Sequence, residues 1–118
     1  MRTIKFRAWS KESKEMMLWD DKYCDEKIVE AILYRDDDYI IMQYTGLNDK
    51  NGVEIFECDV VNVAYKDCLC IRRGIGSVKY ENDGFYVGLM NLGMFAEIEV
   101  IGNIYQNPEL VRRKYDKT

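Results

Sequence analysis

The chain has 118 residues, 47% of them hydrophobic and 13% aromatic, enough for one domain with one core and too few for two. Its formal net charge of -4 would repel nucleic acid and anionic membrane surfaces, and no apolar run approaches the length of a membrane span. The opening residues, MRTIKFRAW, break their apolar positions with Lys5 and Arg7, unlike the core of a signal peptide, so the expected location is the cytoplasm. In that reducing compartment Cys24, Cys58, Cys68 and Cys70 are expected to be thiols.

Taken in chain order, residues 3–9 alternate, with Ile4, Phe6 and Ala8 on one face of a strand and Lys5 and Arg7 on the other. SKESK turns the chain and EMMLW continues it, which predicts an N-terminal β-hairpin. Residues 20–26 read as an acidic loop, and KIVEAILY is too short for its period to separate helix from strand. YIIMQY predicts a buried strand, and NDKNG a turn of solvated polar residues. VVNVAYK places Val61, Val63 and Tyr65 on one side of the next strand.

RRGIG reads as a bulge or barrel corner, where glycine permits close backbone approach. SVKYENDGFYVG is a hairpin with Asp83-Gly84 at its tip, setting Val78 and Tyr80 opposite Phe85 and Val87. EIEVIGNIY turns Ile98, Val100 and Ile104 inward. In NPEL, Asn107 can cap a helix, Pro108 suits its first position and Glu109 favours the positive end of the dipole. The sum is a mainly β fold, a small barrel or roll with an N-terminal β-hairpin and one or two short helices.

Several short stretches suggest chemistry and then fail its requirements. Aligning Gly52 with the glycine of a calcium loop leaves Leu47 and Cys58 where the first and last ligands belong. Glu57 and Asp59 could act as an acid-base pair, but the chain has no histidine to assist, and a surface turn leading into a strand accounts for both. Cys68 and Cys70 are too close together, and Cys24 and Cys58 too isolated, for the paired knuckles of a zinc site. The glycines after Arg72 and Arg73 lead into a strand rather than a helix, so they form no phosphate loop. Arg72, Arg73, Arg112, Arg113 and Lys114 could converge on one basic patch, while the acidic run 36–38 reads as a solvated loop. None of Ser10, Ser13 and Ser77 sits in a nucleophile elbow. No catalytic residue, metal or cofactor is expected.

Three separated blocks, IKFRAW, MQYTGLNDKNGVEIFECDVV and VIGNIYQNPEL, resemble in order the signature segments of the YopX-like proteins of bacteriophages and prophages. The resemblance implies one domain over residues 1–118, with a hairpin region to about residue 45 and an SH3-type barrel from about residue 46. It implies no reaction. Where that family commonly has Glu-Gly-Asp before the strand, this chain has Glu57-Cys58-Asp59, so Cys58 would occupy a position suited to glycine.

The function expected is that of a phage-encoded accessory protein that binds another protein or itself and catalyses nothing. Exposed strand edges favour a homo-oligomer, and Trp9, Trp19 and Tyr86 are the candidate contact residues. A host or phage protein is the other candidate partner. The competing expectation is a small barrel that binds single-stranded nucleic acid through tyrosine stacking and the basic patch.

Overall fold

The computed structural model describes residues 4–18, 38–66 and 68–115. Trp19, Cys24, the KIVEAILY segment and Asp36 and Asp37 lie outside the described residues. Strands β1 (Phe6–Ser10), β2 (Glu15–Leu18), β3 (Tyr39–Asn48) and β4 (Glu54–Phe56) form one antiparallel sheet in the order β2-β1-β3-β4. Strands β5 (Asp59–Lys66), β6 (Ile71–Glu81), β7 (Gly84–Val87), β8 (Met90–Asn91) and β9 (Glu97–Asn103) form a second, in the order β8-β7-β6-β5-β9. The second sheet curls into a half-barrel. A 3-10 turn at Leu92–Met94 and a terminal helix α1 (Pro108–Tyr115) complete the fold of the described residues.

Local sequence explains the hairpins. Between β1 and β2, Lys14 takes φ 56°, its N–H donates to Ser10 O at 2.9 Å, and Ser13 N–H donates to Ser10 Oγ at 3.2 Å. Between β6 and β7, Val78 lies opposite Val87 and Tyr80 opposite Phe85, the register that alternation predicts. The tip differs by one residue. Glu81 pairs with Gly84, so the turn is made by residues 82–83, and Asn82 supplies the left-handed position at φ 40°.

The core lies on the concave side of the second sheet. Val61 and Val63 of β5, Val78 of β6 and Phe85 of β7 meet Ile55, which reaches in from β4 of the first sheet. Each such side chain contributes about 1.5–3 kcal/mol by leaving water. Ile98 and Val100 pack against this cluster, as their inward alternation predicts.

β6 is shared between two neighbours. Its residues 71–77 pair with β5 without a register shift, and residues 78–81 pair with β7. RRGIG is therefore neither bulge nor corner in the ladder with β5. The glycine at 76 does serve close packing, since a Cβ there would stand 2.7 Å from Val87 Cγ1.

The NDKNG turn is not merely solvated, because Asp49 is buried within it. Its Oδ1 accepts from Asn51 N (2.8 Å) and Val53 N (2.9 Å), and its Oδ2 accepts from Val100 N (2.9 Å). Lys50 N also donates to Ile98 O at 3.0 Å. One side chain and one amide thus close the outer edge of β9, which would otherwise offer unpaired backbone. Burial alone would raise the Asp49 carboxyl, but the N–H groups of Val100, Val53 and Asn51, with the Lys50 charge, outweigh it and hold the carboxyl below its ordinary value.

At the end of β9, Asn103 organises the approach to α1, its Oδ1 accepting from Tyr105 N (3.1 Å) and Gln106 N (2.8 Å). The Asn107 carboxamide oxygen, expected to cap the helix, turns back and accepts from Asn103 N at 3.3 Å. A helix cap and a strand-end acceptor compete for the same oxygen, and the tight passage over Gly102 favours the second.

Candidate functional site

The acid-cysteine-acid triplet is a junction between the two sheets. Asp59 is only 2% exposed, not at the surface, and its Oδ1 accepts from Arg7 Nη2 at 2.8 Å while Oδ2 accepts from Phe56 N at 2.8 Å. Arg7, placed by alternation on the solvent face of β1, is 7% exposed, because this triplet covers that face. The same Nη2 donates to Glu57 O at 3.0 Å, and the guanidinium lies over the Phe56 ring at 4.7 Å. Burial raises the Asp59 carboxyl, against the downward pull of the Arg7 charge and the Phe56 N–H.

Glu57 is also committed. Its Oε1 accepts from Gln43 N at 2.7 Å, and its own N–H donates to Gln43 O at 3.0 Å, extending the β3–β4 pairing by one residue. Cys58 sits at φ 68°, the left-handed conformation that the family's glycine would suit. Its N–H donates to Val78 O at 2.8 Å and its carbonyl accepts from Ile104 N at 3.0 Å, so the turn is held in place despite the side chain. Cys58 Sγ lies 3.9 Å from Tyr105 Oη, and burial pushes the thiol up. Both carboxylates are thus engaged in contacts that hold the fold together.

Of the predicted contact residues, Trp9 and Tyr86 are described and both are engaged within the fold, while Trp19 lies outside the described residues. Trp9 is 9% exposed, not open to a partner, and stacks on Tyr105 with ring centres 5.6 Å apart. Tyr86 is half-buried and donates from Oη to Asp83 Oδ1 at 2.7 Å. In the predicted basic patch, Arg72 and Arg73 are exposed on β6, and Arg73 Nη1 bridges Glu97 at 3.2 Å. Lys50 joins the same network at 3.7 Å from Glu97. Arg112, Arg113 and Lys114 belong to α1, but their side chains lie outside the description. Cys58, Cys68 and Cys70 form no disulfide, and among the described residues no three Cys, Asp or Glu side chains gather to hold a metal ion.

A different feature was not foreseen from the sequence. Beyond the Val78–Val87 pair, β7 stops and turns away through Gly88 and Leu89 into β8. That departure leaves a slot of about 450 Å³ beside β6, bounded by residues 73–75 on one wall and residues 87–90 on the other. Val63, Tyr65 and Phe95 form its floor. Gly74 lines it with bare backbone, and a Cβ at that position would meet nothing within 4 Å. Leu89, 100% exposed, stands at the rim. The clue in the sequence was a second glycine, at 74, needed neither for a positive φ nor for packing within the chain.

These features define a small mainly β domain built of two antiparallel sheets joined by a buried ion pair, with an apolar slot open to the outside. The family model for the YopX protein matches residues 5–112, and the chain belongs to the YopX family. The crystal structure of protein EF1440 from Enterococcus faecalis is similar, with 29% identity over 94% of this chain and 99% of that chain and a TM-score of 0.65. No curated protein matches. No described helix is long and apolar enough to cross a membrane.

Proposed function

We propose that this chain is a phage- or prophage-encoded accessory protein that works by binding another protein and catalyses nothing, with the curled sheet serving as an SH3-type scaffold. The observation that carries this reading is the open apolar slot between β6 and the β7–β8 turn, of a size that small recognition sites share. Glu57 and Asp59, the pair best placed for acid-base work, are both engaged in backbone and ion-pair contacts, which supports a structural use for them. The nucleic-acid reading needs Arg72 and Arg73 to converge with Arg112, Arg113 and Lys114, whose side chains lie outside the described residues, so it gains no support here.

The test is capture of the tagged protein from infected or prophage-induced cells, with and without nuclease, followed by mass spectrometry and by light scattering of the purified chain. A partner protein that persists after nuclease and binds the purified chain directly is the expected result. Partners that vanish with nuclease would overturn the reading in favour of nucleic acid. A turnover that disappears in Asp59→Asn with the fold intact would overturn it in favour of catalysis.

A further inference from the structure

In an antiparallel strand, alternate residues direct N–H and C=O to opposite edges, so a strand with one neighbour leaves half of these groups facing outward. Residues 73–77 of β6 have β5 along one edge, and among the described strands none lies along the other. The neighbour that should stand there is β7, which has already ended at Val87. The vacant place is in line with β7, backed by the Val63, Tyr65 and Phe95 floor.

We propose that this slot is a strand-addition site. An extended segment of a partner protein, with apolar side chains at alternate positions and a carboxylate near Arg73, continues the sheet in the place that β7 vacates. This deepens the reading of the chain as a protein-binding module and rests on it. Main-chain hydrogen bonds to β6 supply attachment, and the floor selects side chains.

Gly74 makes room on the floor side, since its partner across the ladder is Val63, which lines the floor. A strand interior favours a side chain over glycine, and here neither φ nor a neighbouring atom demands glycine. Close approach of another chain does. Charge gives the partner its second feature, because Arg73 is the one charged residue among those lining the slot, and its guanidinium has donors beyond the one directed at Glu97.

A second copy of this chain fits less well. Two β6 strands paired edge to edge about a two-fold axis keep the same face on the same side, so each would offer the floor Gly74 and Gly76. Glycine brings nothing to fill an apolar slot. The occupant is therefore a different protein.

The experiment uses the whole chain and a displayed library of peptides about eight residues long in which valine, isoleucine or phenylalanine alternates with threonine and one end carries aspartate. Selected peptides should shift the amide resonances of residues 73–76 and 87–90. Gly74→Val should leave thermal stability unchanged or raised while weakening binding by about tenfold or more. Arg73→Glu should weaken binding of the aspartate peptides and spare their asparagine counterparts. The proposal is overturned if no peptide is selected, if the shifts fall elsewhere, or if binding survives Gly74→Val. Survival in that variant of a partner captured from cells would remove the slot and leave the interaction reading standing, whereas a chain with no nuclease-resistant partner loses both. A dimer of the free chain that Gly74→Val dissociates would overturn the choice of partner.

Discussion

Arg7 and Asp59, 52 positions apart in the chain, close a 2.8 Å ion pair that ties the first strand of one sheet to the first strand of the other. Both are buried, and Arg7 Nε is buried without a hydrogen-bond partner. Removing one member leaves the other charge stranded, so Arg7→Ala or Asp59→Asn should each destabilise the fold by roughly 3–5 kcal/mol. The pair Arg7→Met with Asp59→Leu should recover part of that loss, since two apolar groups strand no charge although the Phe56 N–H then lacks its acceptor. Urea unfolding of the three variants decides the matter, and a double variant no better than the singles would count against this account.

Cys58 holds a backbone conformation that disfavours any side chain. Cys58→Gly removes a left-handed penalty of about 1–2 kcal/mol and gives back part of it through the freer unfolded chain. A net gain of about 0.5–1 kcal/mol is expected. Cys58→Ala keeps the penalty and loses the contact with Tyr105, so it should not stabilise. Thermal melts of the two variants should move in different directions.

Gly76 should behave unlike Gly74. A methyl at 76 meets Val87 at 2.7 Å, so Gly76→Ala should cost about 1–3 kcal/mol, the usual range for overpacking. Val87→Ala made in that background should be milder than in the wild type, because it relieves the clash. Additive losses in a double-mutant cycle would show that the two positions do not touch.

The Asp49 carboxyl, held below its ordinary 3.8, makes stability depend on acid. The unfolded carboxylate takes up its proton first, so the contribution is present above about pH 4 and is lost as pH falls through the lowered folded value. Urea midpoints of wild type and Asp49→Asn should therefore converge below that range and separate above it. The comparison isolates Asp49 from the oppositely shifted Asp59.

Tyr105 is pushed up to about 12, first by burial and then by the neighbouring Cys58. Absorbance titration should include a tyrosine phase near pH 12, and Tyr105→Phe should remove that phase. The sign for stability is the reverse of the acid case. The contribution is complete below the ordinary tyrosine value of 10.0 and is lost as pH rises towards 12.

Much of the fold could be read from local pattern, because hairpins are written in adjacent residues. The pairing of Val78 with Val87 and of Tyr80 with Phe85 followed from alternation about one turn. Arg7 could not be read that way. Its position on β1 marks it for solvent, and only the return of the chain at Glu57–Asp59 brings a counter-charge to it. Trp9 was misjudged for the same reason, since its partner Tyr105 comes from the far end of the chain. The slot was hidden more deeply, because it arises where β7 ends, and a strand's length is set by packing rather than by its own residues.

The Asp49 carboxylate does with one side chain what most sheets do with a flanking strand, and that economy has a chemical weakness. When Asp49 takes up a proton it loses its negative charge and much of its hold on Val100 N–H, and the margin of β9 comes within reach of other molecules. Acid would then do more than loosen this protein. It would uncover a template for fibril growth, so clouding of an acidified solution should precede the loss of secondary structure, and neutralising early should clear it.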